Sequence, residues 1–508
     1  MAAAPLLIRN AQVLSLDEAG HQWPAADIAI ENGVITAIGP HVGEGWARPA
    51  GRIIEARGML AMPGLINAHF HSPGNLLKGT LDSLPLELFM LYEVPPLAQA
   101  GDAARLAYVR TMIGALEMLR RGITTVHDDA FHVPIATEES VDAIMQAYAD
   151  VGIRATVAID QPNIVEYDKY PFLGELLPEN IRREMEGAPR QSSRELLDLY
   201  THLVKRWHGA EGGRLKAAVS CSAPQRVTHD YFAGLSGLSK THDLPFNIHI
   251  LETKLQRVLG EEKFGKSLVQ HVHDLGFLDE RMMVIHAIWI DDADIALLAQ
   301  SGCTVAHNPI CNLRLGSGVM PYYKLRAAGV PICLGSDEAT SDDAINMWAV
   351  AKTGAILQNI ANPEYREWPT APEMLGALTR GGARALRQSD TLGQLKVGYA
   401  ADIALLDLDT LPFTPYNDLQ RQLVYCEDGS SVRITIVAGR VVYEKGAVSG
   451  VTAIDEKALR AEARALAESG RAQFESAQAA ARQLEPYYRA MYLKAAGRDV
   501  GFSRWVQG

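Results

Sequence analysis

The sequence predicts an α/β fold: a (β/α)8 barrel of the TIM type, a small β-sandwich domain built from both chain ends, and a C-terminal helical tail. Three observations lead there. Short apolar runs alternate with helix-length amphipathic segments through the middle of the chain, both ends are rich in strand and hairpin signals, and residues 454–496 are rich in Ala, Glu, Arg and Leu. The expected division is 1–60 with 391–450 as a composite β domain, 61–390 as the barrel, and 451–508 as the tail.

Near the N-terminus, Leu6-Leu7-Ile8, Ala11-Gln12-Val13-Leu14, Ile28-Ala29-Ile30 and Val34-Ile35-Thr36-Ala37-Ile38 read as strands, with Glu31-Asn32-Gly33 as a hairpin turn. The first barrel strand is expected at 65–69, bounded by Pro63-Gly64 and Pro73-Gly74. Side chains alternate along a strand, so His69 and His71 share a face and Phe70 points the other way. Apolar residues at helical spacing (Leu106, Val109, Met112, Ile113, Leu116, Leu119) predict a helix over 102–121, closed by Arg120-Arg121-Gly122. Further strands follow at 123–127, 154–159, 215–220, 246–250, 282–286, 303–307 and 331–335, with helices such as 194–207 and 292–299 between them. Eight strand-then-helix units define the barrel. An open doubly wound sheet is the alternative, and the Gly-rich phosphate fingerprint it would carry after the first strand is absent.

Two insertions, 72–100 and 161–190, follow strand ends and carry bulky residues such as Phe89, Tyr92, Tyr170 and Phe172. They are expected to be pocket walls or lids, with surface decoration as the alternative. Strand character returns at 398–406 and at 432–442, with a turn at Gly439-Arg440. The aromatic residues crowded into the tail (Tyr487, Tyr488, Tyr492, Phe502, Trp505) call for burial on the barrel or on a neighbouring subunit.

Of the 508 residues, 48% are hydrophobic and 21% charged, which is ordinary for a chain with a large core, and the net charge of −12 shows no basic cluster. Nucleic acid and anionic membranes are therefore not expected partners; a small-molecule substrate is. The five cysteines have no paired spacing, and no secretory signal or 18-residue apolar stretch is found, so a reducing, cytoplasmic setting is expected.

The chemistry gathers at the strand ends. His69 and His71 lie on the first, His249 with Glu252 on the fifth, His286 on the sixth, His307-Asn308-Pro309 on the seventh and Asp337 on the eighth. Five strands supplying ionisable or ligating groups at one edge imply a site, and three His with one Asp suit a divalent metal that lowers the pKa of a bound water towards 7.

Pro63-Gly64-Leu65-Ile66-Asn67-Ala68-His69-Phe70-His71 resembles the opening signature of the amidohydrolase superfamily. The run from His307 to Gly318, Leu334-Gly335-Ser336-Asp337 and Gly398-Tyr399-Ala400-Ala401-Asp402-Ile403 resemble the branch with guanine, cytosine and adenosine-type deaminases and triazine hydrolases. The resemblance spans about residues 6 to 450. It implies one metal, most often zinc with iron as the alternative, held by His69, His71, His249 and Asp337. Branches with two metals carry a modified Lys at the end of strand four; here that end reads Val219-Ser220-Cys221-Ser222, and Lys216 sits at the strand's start.

The same resemblance makes Glu252 the proton carrier and His286 the group that steadies the added hydroxyl, with Asp337 both ligand and base. The expected function is deamination of an amino-substituted N-heterocycle or similar amidine by a metal-bound hydroxide, releasing ammonia. The alternative is hydrolysis with another leaving group: alkylamine, chloride, or a ring amide or urea nitrogen. A homo-oligomer, dimer or tetramer, fits the family. Gln161, Asn308 and Glu338 are candidate substrate contacts. Glu338 stands where the family commonly has Gly. Strict alternation would turn it outwards; a broken strand end would face it to the substrate, favouring neutral or basic amino compounds over phosphorylated ones.

Overall fold

The computed structural model describes residues 4–97, 102–445 and 454–506. The ends expected for the 72–100 insertion and the 391–450 segment, and the first residues of the tail, lie outside the described residues.

The first strand, Leu65–His71, is buried throughout, as are the third (Arg154–Asp160), fifth (Phe246–Ile250), sixth (Met282–His286) and seventh (Thr304–His307). Burial on both faces is what parallel strands covered by helices require, and it explains why these segments read as continuous apolar runs. The second strand, Ile123–Phe131, extends past the expected end at His127 and so carries Asp128 and Asp129 to the catalytic edge.

The strands form two parallel five-stranded sheets. One runs from Asp337–Glu338 through the first, second and third strands to Leu215–Ala217; the other runs from Val219–Ser220 through the fifth, sixth and seventh strands to Ile332–Leu334. The fourth and eighth strands, each expected as one run, are thus split, with a piece in each sheet.

The split in the eighth strand has a visible cause. A Cβ on Gly335 would lie 2.5 Å from Asn308 Oδ1 and 2.7 Å from His69 Cβ, so only glycine passes this close to the first strand. Just beyond it, Asn67 Nδ2 donates to Ser336 Oγ (2.7 Å) and Ser336 N donates to Asn67 Oδ1 (3.0 Å). That pair of buried hydrogen bonds holds the eighth strand's exit against the first.

The two chain ends meet in one eight-stranded sheet. Its order is Arg440–Glu444, Val432–Val437, Ile403–Asp407, Met59–Pro63, Leu6–Leu14, Gln22–Glu31 and Val34–Gly39, with Arg52–Glu55 also on Leu6–Leu14. The Asn32-Gly33 turn has positive φ at both residues (52° and 81°), as a two-residue hairpin prefers. The later hairpin turns at Ala438-Gly439, one residue before the expected position. Arg154 reaches across from the third parallel strand and grips Asp402 at 2.7 and 3.0 Å, a buried bidentate pair joining the two units.

Helices Glu456–Ser469 and Arg471–Ala496 form the tail. Tyr488, Met491 and Ala495 are buried against Leu88, Leu91, Tyr92, Tyr170 and Leu173, all from the two insertions. The aromatic end therefore packs on its own chain. Among the described residues no helix is long and apolar enough to cross a membrane.

Candidate metal and catalytic site

The strand ends converge as side chains, not only as sequence positions. His69 Nε2 and His71 Nε2 each lie 3.6 Å from Asp337 Oδ1, and His286 Nε2 lies 3.6 Å from Asp337 Oδ2 and 3.4 Å from Glu252 Oε2. The His249 ring centroid is 5.0 Å from that of His69 and 5.4 Å from that of His71. Two ligand atoms about 2.1 Å from a shared ion, at angles near tetrahedral, stand roughly 3.4–3.6 Å apart. The spacing of His69, His71 and Asp337 matches that.

The tautomers agree. His71 Nδ1 faces the Asp129 carbonyl at 2.5 Å and His249 Nδ1 faces the Ser222 carbonyl at 2.8 Å. Carbonyls only accept, so each Nδ1 carries the proton and each Nε2 is left with a lone pair. His69 is fully buried with neither ring nitrogen hydrogen-bonded. A buried, unpartnered imidazole is costly, and ligation of a divalent cation is the chemistry these donors fit.

Backbone strain is present at the same edge. Ser222, Leu251, His286, Ala287 and Asp337 all adopt positive φ (61°, 53°, 72°, 46° and 61°). Such conformations cost non-glycine residues roughly 1–3 kcal/mol each and persist where packing over-determines them. At Asp337 the consequence is direct. The strand's alternation breaks, and both Asp337 and its neighbour Glu338 line the cavity.

The electrostatics separate the carboxyls. Burial pushes Glu252 well above the usual carboxylate range, with Asp337 and Glu87 adding to it and Arg226 opposing. Burial acts on Asp337 in the same direction, but the facing imidazoles of His69, then His286 and His71, hold it well below that range. Burial lowers His286 to about 4 and takes His249 well below its ordinary value. His286 is thus neutral, its Nδ1 donating to Asn312 Oδ1 at 2.9 Å. One carboxyl pushed up and one held down, flanking a neutral imidazole, are an acid–base pair set apart by environment.

The cavity above this cluster has a volume of about 470 Å³ and is walled by both insertions and by Leu484 and Tyr488 of the tail. Gln161 lines it with a buried, unpaired Oε1. Glu338 lines it too, sharing the Thr340 hydroxyl (2.7 Å) with Glu93; burial pushes both carboxyls up, and repulsion from Glu93 adds to the rise at Glu338. Asn308 does not line the cavity: Gly335 and the seventh strand bury it behind His286, its Nδ2 3.4 Å from His286 Nδ1. His307 is also walled off, with burial lowering it to about 3.

Asp129, which no local apolar pattern marks, also reaches the cluster. Its carboxylate forms, with His69, His71 and His249, a group whose ligand atoms all lie within 4.8 Å of one another. The signal was the acidic pair Asp128-Asp129 directly after the second apolar run. Asp160, Arg226 and Glu93, also in the cavity wall, carried no comparable signal.

Parallel strands that deliver His and Asp side chains to one edge, with an acid–base pair beside them, make an arrangement suited to metal-assisted hydrolysis. Residues 60–442 match the model of the amidohydrolase family, and the chain belongs to that family. The 5'-deoxyadenosine deaminase of Methanosarcina mazei is 30% identical over 465 residues, covering 92% of this chain and 98% of that one. The 5-methylthioadenosine/S-adenosylhomocysteine deaminase of Thermococcus kodakarensis is 33% identical over 442 residues, covering 86% and 93%. Among solved structures, an adenosine deaminase from Xanthomonas campestris with bound zinc superposes with a TM-score of 0.80 at 27% identity, covering 92% of this chain and 99% of that one. The atrazine chlorohydrolase of Arthrobacter aurescens TC1 complexed with zinc gives the same TM-score of 0.80 at 24% identity over 91% and 99%, a likeness of fold.

Proposed function

We propose that this chain is a metal-dependent aminohydrolase that removes the exocyclic amino group of an adenosine-type heterocycle as ammonia. The observation that carries it is the pairing of Glu252, poised as an acid, with ionised Asp337 across neutral His286. The names of the relatives support the choice of heterocycle.

His69, His71, His249 and Asp337 would hold one divalent ion, and their nitrogen and oxygen donor set suits zinc. A second ion has no bridging lysine, because Lys216 lies at the start of the fourth strand and Ser220 at its end. An ion bound there supplies Lewis-acid polarisation and makes the attacking water more acidic. Asp337 takes a proton from that water as oxygen adds to the amidine carbon. Glu252 protonates the ring nitrogen. His286 steadies the new hydroxyl from its Nε2 side. The C–N bond then breaks, the exocyclic nitrogen leaves as ammonia after receiving a proton through Glu252, and a ring carbonyl remains. A protonated Glu252 is what an amine leaving group needs and a chloride does not.

We also read the two parallel sheets as halves of one closed (β/α)8 barrel spanning 61–390, because the fourth and eighth strands each place a piece in both. The eight-stranded sheet of 1–60 and 391–450 is read as the small β-sandwich domain, and 451–508 as the tail. The test of function is ammonia release from 5'-deoxyadenosine, 5'-methylthioadenosine and other aminopurines by metal-loaded protein. Turnover of at least one supports the reading; none across the set refutes it.

A further inference from the structure

The cavity contains a cation that the deamination chemistry does not use. Arg226 is only 8% exposed, lines the cavity, and has no carboxylate within 4.0 Å among the described residues. Its Nε has no acceptor; Nη1 has only a long contact to Ser222 Oγ (3.5 Å) and Nη2 only the Met90 sulfur (3.2 Å). The acids that feel its charge are engaged elsewhere: Glu166 with Lys169 at 2.6 Å, Glu87 with the Thr253 hydroxyl at 2.6 Å, and Glu252 beside His286. A buried guanidinium with no carboxylate in direct contact is expensive, and its planar fork of donors matches a carboxylate better than any neutral acceptor.

The backbone around Arg226 is fixed. Its N–H donates to the Ala223 carbonyl (2.9 Å), and its own carbonyl accepts from Asn163 N (3.2 Å). Ser222, against which it leans, supplies the carbonyl that orients His249. Arg226 is therefore held on the wall of the cavity that the His/Asp cluster also lines, within the electrostatic reach of Glu252.

We propose that Arg226 is a specificity-determining residue that binds an anionic oxygen group, a carboxylate, carried by the amino-heterocycle whose amidine carbon sits at the metal cluster. This rests on the deaminase reading for the heterocycle alone; the anion site rests on Arg226.

The test uses calorimetry on full-length, metal-loaded protein with two probes of one shape, 6-aminonicotinate and 6-aminonicotinamide. Each offers a ring C(=N)–NH2, and they differ in the charge of the pendant group. Wild type should bind the acid at least about tenfold more tightly than the amide, and Arg226→Gln should erase that ratio at unchanged metal content. Equal affinities in wild type, or a ratio that survives in Arg226→Gln because the carboxylate sits on the metal, would overturn the proposal. Should Arg226→Gln not fold, Arg226→Lys decides: its ratio should fall, since lysine lacks the two-donor fork, and an unchanged ratio overturns the assignment. Binding needs no turnover, so a protein that keeps the ratio but releases no ammonia from any substrate defeats the deaminase reading alone.

Discussion

Replacing Glu252 with glutamine keeps the side chain's shape and removes its transferable proton. Glu252 is buried 3.4 Å from His286 Nε2 and does not belong to the His/Asp cluster, so Glu252→Gln should retain its metal. Loss of a general acid–base group costs on the order of 10² or more in turnover, about 2.7 kcal/mol or more of transition-state stabilisation. Stability should move the other way. The folded-state pKa of Glu252 lies well above its ordinary 4.5, so between those two values the folded chain holds a proton that the unfolded chain has released. Stability due to this group is therefore present at low pH and lost as pH rises through that window. Glutamine has no such loss, so the variant's Tm should exceed wild type by more at pH 8 than at pH 5. The assay is ammonia release with metal content measured on the same sample, beside thermal melts at both pH values. Near-normal kcat in a metal-replete variant would refute the proton role and pass it to His286.

Three further outcomes follow from the geometry. Asn67→Ala removes both hydrogen bonds to Ser336 and should cost about 1–3 kcal/mol of stability while weakening metal retention, read by melts and by chelator competition; unchanged metal retention would show that Asp337 is placed without them. Truncation after residue 484 uncovers the partners of Tyr488 and Met491 and should cost roughly 3–6 kcal/mol, with an unchanged Tm marking the tail as dispensable. Glu338→Gln should weaken kcat/KM for the true substrate by about 1–3 kcal/mol with folding intact, whereas an unchanged kcat/KM with a lower Tm would make the residue structural.

Much of the scaffold was legible because parallel strands buried on both faces leave apolar runs that stand out between amphipathic helices. His69 and His71 could be placed on one face from alternation alone. The same rule fails where the backbone leaves the strand: with Asp337 at φ 61°, alternation no longer sets the direction of Glu338. Asp129 was missed because the second strand runs on through polar residues to Phe131, where an apolar-run criterion stops at His127. Arg226 lies in a short 3-10 turn, Pro224–Arg226, whose contacts come from distant segments such as Met90, and no local periodicity reports that. Asn308 illustrates the reverse error, since a polar residue next to a strand end can be buried behind the site when a glycine such as Gly335 packs onto it.

The most direct test of the central claim is metal stoichiometry by elemental analysis of the purified protein, wild type beside His69→Ala and Asp337→Asn. The convergence of His69, His71, His249 and Asp337 predicts close to one divalent ion per wild-type chain and a large loss in both variants, in step with loss of ammonia release. About two ions per chain, none after careful purification, or full occupancy in the variants would contradict it.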